Sequence, residues 1–209
     1  MTGGWSQSDA WVLTAITLNS GGLQSLIAGG EVCNHGTLSR EELEVGLGRL
    51  AASGLITIKS GPKYGLSRAG KRITRRAKGG TIQRLGQMPS LLAEVPLQEG
   101  RLEITVADYT NAVDTYLEGV GRPPFSFSYQ KELVTYWEGD HGCTFDAAWG
   151  VTPSILVVPD EETWDRAVPS WMVGRRDVVL ARLARKSGHV LEVDTRGYYG
   201  HGYDLEKHR

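Results

Sequence analysis

Between residues 38 and 56 the chain reads LSREELEVGLGRLAASGLI, and Leu43, Leu47 and Leu50 recur there at i, i+4 and i+7. That spacing predicts a helix with one apolar face. Ser39 stands at its N-cap, Glu42 three residues later completes a capping box, and Gly54 occupies the C′ place. Upstream, SDAWVLTAITLN (8–19) opens on a capping residue and carries Trp11, Leu13, Ile16 and Leu18, which predicts a short, largely buried helix ended by NSGG. Residues 22–34 predict a second helix, weakened or kinked at Gly29–Gly30, and HGT a turn. After the third helix, LITIKS, GPK and YGLS predict a strand, a turn and a return strand. Ser67 then caps a fourth helix through RAGKRITRRAK.

Helix, helix, turn, helix, two-stranded wing and basic helix follow one another in that order. With LSREELEVGLGRLAASGLI and KYGLSRAGKRI as the carrying stretches, residues 8–78 resemble the winged helix-turn-helix superfamily, in particular bacterial regulators of the MarR and PadR groups. The resemblance implies a DNA-binding transcription regulator, and a homodimer, as such regulators commonly are. It covers a third of the chain, and winged helices also serve as protein–protein modules.

The pattern changes after residue 78. GGTIQRLGQMPSLLAEVPLQEG (79–100) is rich in Gly, Pro and Gln and reads as a linker with a short helical piece near SLLAEV. A second domain is expected over 101–209. RLEITVA alternates Leu102, Ile104 and Val106 as a strand does. DYTNAVDTYLEGVG predicts an amphipathic helix, RPPFSFSY and KELVTYW strands, SILVVP a buried strand, DEETWDRAV and VGRRDVVLARLARKSG helices, and HVLEVD a last strand. EITVADYTNAVDTYL and SILVVPDEETWDRAV both run strand, acidic cap, helix, so the expected fold is α+β: a winged helix followed by an α+β sandwich, with the ferredoxin-like topology as the candidate. The Gly- and Tyr-rich tail TRGYYGHGYDLEKHR is expected to be partly disordered.

Charge sharpens the picture. The formal net charge is -1, yet residues 1–80 hold ten Lys/Arg against five Asp/Glu, and residues 81–209 thirteen against nineteen. Such a split separates a nucleic-acid-facing part from the rest, or two ordinary domains of different pI. On the third helix the residues opposite the leucines are Glu41, Val45, Gly48 and Ala52. Base readout wants Arg, Asn, Gln, Ser or Thr there, so this helix is a poor reader, with Arg40 and Arg49 left to touch phosphate at its flanks. Gly46 and Gly48 each cost about 1 kcal/mol in a helix interior, which is either offset by close approach of another helix or of a phosphate backbone, or is a tolerated defect. The fourth helix carries Arg68, Lys71, Arg72 and Arg75 in one stripe, with Arg76 and Lys78 at its edges and Lys59 and Lys63 on the wing. That is a phosphate track, or else a solvated face or a partner for acidic residues.

Other chemistry is thinly supported. Cys33 and Cys143 form no disulfide framework and read as reduced thiols. His141, Cys143 and His189 make a weak nucleophile pairing, and no paired Cys/His spacing suits zinc. The phosphate-loop, nucleophile-elbow and zincin motifs are missing, so neither an enzyme nor a cofactor or metal is expected. Trp137, Trp149, Trp164 and Trp171, with Phe125, Phe127, Tyr129, Tyr136 and Phe145, form a core or line a ligand cavity, for which Glu138 (or Glu132) is the polar anchor and Trp137 and Trp149 the walls. No signal peptide or membrane-spanning run is evident, so a cytoplasmic protein is expected. Two functions stay open: a DNA-binding regulator whose C-terminal domain senses a small-molecule effector or binds a protein partner, and a protein–protein module that uses the winged helix as a scaffold.

Overall fold

The computed structural model describes residues 4–34, 37–148 and 152–194. The chain is α+β and divides into two compact units, residues 1–116 and 117–209. The predicted HGT turn and the tail from residue 195 lie wholly or partly outside the described residues.

In the first unit, α1 (Gln7–Leu18), α2 (Leu23–Asn34) and α3 (Arg40–Ala52) precede the hairpin β1 (Ile56–Lys59) and β2 (Lys63–Leu66), and α4 (Arg68–Thr74) follows. This is the expected order. The α1 helix is buried on nearly every side, from Ala10 through Ile16, because α2, α3 and a later helix all pack on it. A helix surrounded in this way must be apolar around its whole girth, as this one is. The α2 helix runs through Gly29–Gly30 without a break. In α3 the capping box is in place: Ser39 Oγ accepts from the Glu42 N–H at 3.2 Å, and the Glu42 carboxylate accepts from the Ser39 N–H at 2.8 Å. Leu43, Leu47 and Leu50 are fully buried. Antiparallel pairing joins β1 and β2, and Gly21 adds one rung beside Tyr64, its N–H and C=O both bonded at 3.2 and 2.7 Å.

The Leu-Ser-x-x-Gly pattern at residues 66–70 has a mechanical reason. Ser67 Oγ accepts from the Gly70 N–H at 3.0 Å as the N-cap of α4 and donates to the Gly54 carbonyl at 2.6 Å. A Cβ on Gly70 would stand 2.0 Å from the Leu55 carbonyl oxygen. The start of α4 is therefore fastened to the end of α3 through a contact that only glycine permits.

Residues 79–100 are not a linker. They form α5 (Thr81–Ala93), which buries Met88 and Leu92 and packs on α1, α2 and α4. Pro89 lies inside this helix, and the Trp5 indole N–H closes its far end by donating to the Val95 carbonyl at 2.9 Å. Nor does RLEITVA form a strand: residues 101–105 carry no regular secondary structure, and Val106 opens α6 (Val106–Gly119). Ile104 is buried and Leu102 half-buried against the first unit's core. The first compact unit thus reaches Tyr116, well past the expected boundary at 78.

The second unit is one five-stranded sheet in chain order: β3 (Ser126–Gln130), β4 (Leu133–Glu138), β5 (His141–Ala148), β6 (Ile155–Pro159) and β7 (Val190–Asp194). The first four strands are antiparallel, and β7 returns parallel to β6 after α7 (Glu161–Ala167), a 3-10 turn (Ser170–Met172) and α8 (Arg176–Lys186). A crossover of that length is what a parallel pair needs. Sequential strand order, with no strand at 101–107, replaces the expected ferredoxin-like topology, which would interleave non-consecutive strands. Trp164, Tyr136 and Phe145 fill the core.

Gly70→Ala is expected to destabilise the first unit by about 2–3 kcal/mol, because the added methyl meets backbone that cannot swing aside. Urea unfolding followed by circular dichroism checks it; an unchanged midpoint would remove this contact as a fastening.

Candidate nucleic-acid interface

The predicted stripe of cations is kept in part on the folded surface. Arg68, Lys71, Arg72 and Arg75 are exposed and together line one open depression of about 460 Å³. Their stripe exists because Gly70, Ile73 and Thr74 turn inward on the same short helix. Among the described residues none of these four side chains meets a carboxylate, and the same holds for Lys59 and Lys63, which face each other across the hairpin end, and for Lys78.

The remaining nominated arginines are committed within the fold. Arg40 donates to the Ile104 carbonyl at 3.1 Å and lies 3.5 Å from Glu44. Arg49 is held by Glu99 at 2.9 Å and by buried Asp9 at 3.4 Å. Arg76 forms a two-pronged pair with Glu94 at 2.7 and 2.8 Å. Their charge alone does not announce these partners; Glu94 and Glu99, which take up Arg76 and Arg49, come from residues 79–100.

That segment also determines what α3 can present. Residues 98–104 lie along the helix as a strap. The Gln98 N–H donates to Ser53 Oγ at 2.9 Å, and the Leu102 N–H to the Glu44 carbonyl at 2.9 Å. Between them the two backbones nearly touch: a Cβ on Gly48 would stand 2.4 Å from the Arg101 Cα, and one on Gly100 2.5 Å from the Gly48 carbonyl oxygen. Gly46 meets Val12 of α1 instead. Of the two readings of these glycines, close approach holds, and the protein itself makes it.

Glu44 anchors the strap. Only 4% of it is exposed, a costly position for an unpaired carboxylate. Arg101 Nε donates to Oε2 at 3.1 Å, the Ile104 N–H donates to Oε1 at 3.3 Å, and Arg40 stands nearby. The Arg101 hydrogen bond, joined by the Ile104 amide and by attraction to both arginines, outweighs burial and holds the carboxyl below its ordinary range. Tyr109 on α6 adds a further tie by donating to the Leu38 carbonyl at 2.8 Å.

The proposed ligand wall in the second unit is differently employed. Both oxygens of Glu138 accept from Arg175 Nη2 at 2.9 Å, and Oε1 also accepts from the Tyr136 hydroxyl and from Arg182. The anchor expected to face a ligand is bound to its own fold. Burial, foremost, pushes the Tyr136 hydroxyl well above the usual tyrosine value. Trp137 lies across Gly142 on the neighbouring strand and donates to Ser128 Oγ at 2.8 Å. Trp149 lies outside the described residues. Cys143 is buried on β5, and the His189 ring has Nδ1 2.7 Å from the Ser187 carbonyl. Among the described residues no group of three His, Cys, Asp or Glu is placed to hold a metal ion, and no helix is long and apolar enough to cross a membrane.

Comparison with protein-family models, curated proteins and solved structures finds no match to this chain. The functional reading therefore rests on the geometry above.

At pH 7, Glu44→Gln is expected to cost the first unit about 2 kcal/mol by weakening the strap's charged anchor. Because the folded state holds this carboxyl low, its contribution is full above the unfolded value of about 4.3 and is lost as pH falls through the lower folded value. Urea midpoints of wild type and variant should converge on acidification. A gap constant from neutral pH to strongly acidic pH would show that Glu44 is no anchor.

Proposed function

We propose that the first unit is a winged-helix DNA-binding module that holds the duplex by its phosphates, and that the protein works by binding rather than by catalysis. The observation that carries this reading is the sorting of cations. Arg40, Arg49, Arg76 and Arg101 are each paired to a carboxylate. Arg68, Lys71, Arg72 and Arg75 are unpaired and gathered around one depression. Cations held side by side without partners repel one another, and a polyanion relieves that repulsion. A role as a transcription regulator follows from this reading together with the winged-helix resemblance.

A second reading has one observation in its favour. The strapped α3 suits a winged helix that serves as a scaffold for protein contacts, with the fourth helix receiving an acidic partner surface. The two differ in what the cations hold, so DNA retention separates them.

Fluorescence anisotropy of a labelled duplex should give a salt slope of about −3.6 if four phosphates are neutralised. Arg72→Gln alone should reduce that slope by about 1 and weaken binding to unrelated duplexes alike. The triple reversal Arg68→Glu, Arg72→Glu, Arg75→Glu should abolish retention while leaving the melting profile in place, since all three side chains are exposed. Wild-type protein that retains no duplex even at low salt would overturn the DNA reading in favour of the scaffold.

A further inference from the structure

A helix-turn-helix reads sequence when its third helix lays side chains against base edges in the major groove. Here the face of α3 opposite Leu43, Leu47 and Leu50 is occupied along one side. At about 100° per residue, Gly48 lies on the Glu44 side of that face, and it is buried beneath the Gly100–Arg101 backbone. On one flank Glu44 is consumed by Arg101 and the Ile104 amide, and on the other Arg49 is consumed by Glu99 and Asp9. What stays open is Glu41, half-buried Val45 and Ala52: an acid, an aliphatic and a methyl. The strap is no loose cover, since Ile104 is 3% exposed and Glu44 beneath it is buried too.

We infer that the strap of residues 98–104 withdraws α3 from base reading, so that the module binds duplex DNA without regard to sequence. This rests on the DNA-binding reading above and narrows its partner to the shared chemistry of every duplex, its phosphate backbone. The third helix then serves as the frame on which α4 and the hairpin are mounted. The strap stays in place when DNA is bound, because the cations that hold the duplex lie on α4 and the hairpin and none of them belongs to the strap.

The test uses the full chain and a pool of 30-base-pair duplexes with randomised centres. Rounds of selection should enrich no motif, and unrelated duplexes should bind within about threefold of one another, against the thousandfold or greater preference of specific binders. Ala52→Leu, which adds bulk to the open part of the α3 face, should leave affinity within about twofold, whereas a helix seated in the groove has no room for it. Hydrogen exchange should find the Leu102 and Ile104 amides protected equally in free and DNA-bound protein. An enriched motif, a tenfold or greater loss in Ala52→Leu, or deprotection of those amides on binding would overturn the inference and leave phosphate binding standing. Failure to retain any duplex at low salt would overturn both.

Discussion

A buried carboxylate on the flank of a helix organises the first unit. Glu44 comes from a stretch of charged residues that would ordinarily point into water, and it is instead enclosed by Arg101, Arg40 and the Ile104 amide. An uncompensated charge there would cost several kcal/mol, so the strap and the helix stand or fall together. From that dependence follow the crossing of Gly48 and Gly100, the burial of Ile104, and the pairing of Arg40 and Arg101 with one carboxylate. The unit extends to Tyr116 because the chain has to travel past α3 to satisfy Glu44 before it can begin α6.

The same constraint divides the surface. Glu99 and Glu94, supplied after residue 79, take up Arg49 of α3 and Arg76 just past α4, Glu44 takes up Arg40, and none of these acids reaches the exposed stripe between them. Net charge along the sequence records the surplus of positive residues in the first eighty positions. Which of them remain available is determined by Glu94, Glu99 and Glu44, two of which lie beyond position 80. The wing and α4 keep their field while α3 loses its own.

Much of this was legible in the sequence wherever the signal is local. The capping box at Ser39 and Glu42, the leucine face and the Leu-Ser-x-x-Gly turn are short-range patterns, and the structure forms each of them. The stripe on α4 was legible for the same reason, as Ile73 and Ala77 mark the inward side. Long-range partners were not. The alternation of Leu102, Ile104 and Val106 correctly shows one buried side, but period alone does not say whether a strand or a helix buries it. Pro89 and the neighbouring glycines disguised α5, although Met88 and Leu92 carry its apolar face. In the second unit His141 and Cys143 belong to β5, whose hairpin signal is the Gly139–Asp140 pair before it, with Gly139 at φ +58°. Glu138 is polar among aromatics, and nothing near it in sequence announces Arg175 or Arg182.

The parallel return of β7 has a consequence for how the second unit comes together. Ile155 pairs with Val190, so closing this pair spans the whole segment that carries the intervening helices. The antiparallel strands before them are neighbours in the chain and close over short loops. Loop-closure entropy therefore orders assembly: the meander from β3 to β5 is quick to form, and the last strand is slow. Until β7 arrives, β6 presents an open row of amide and carbonyl groups on an apolar strand, ILVVP, which is the kind of edge another chain can join. The growing chain is thus most exposed to aggregation in the interval between completing β6 and delivering the residues around Val190.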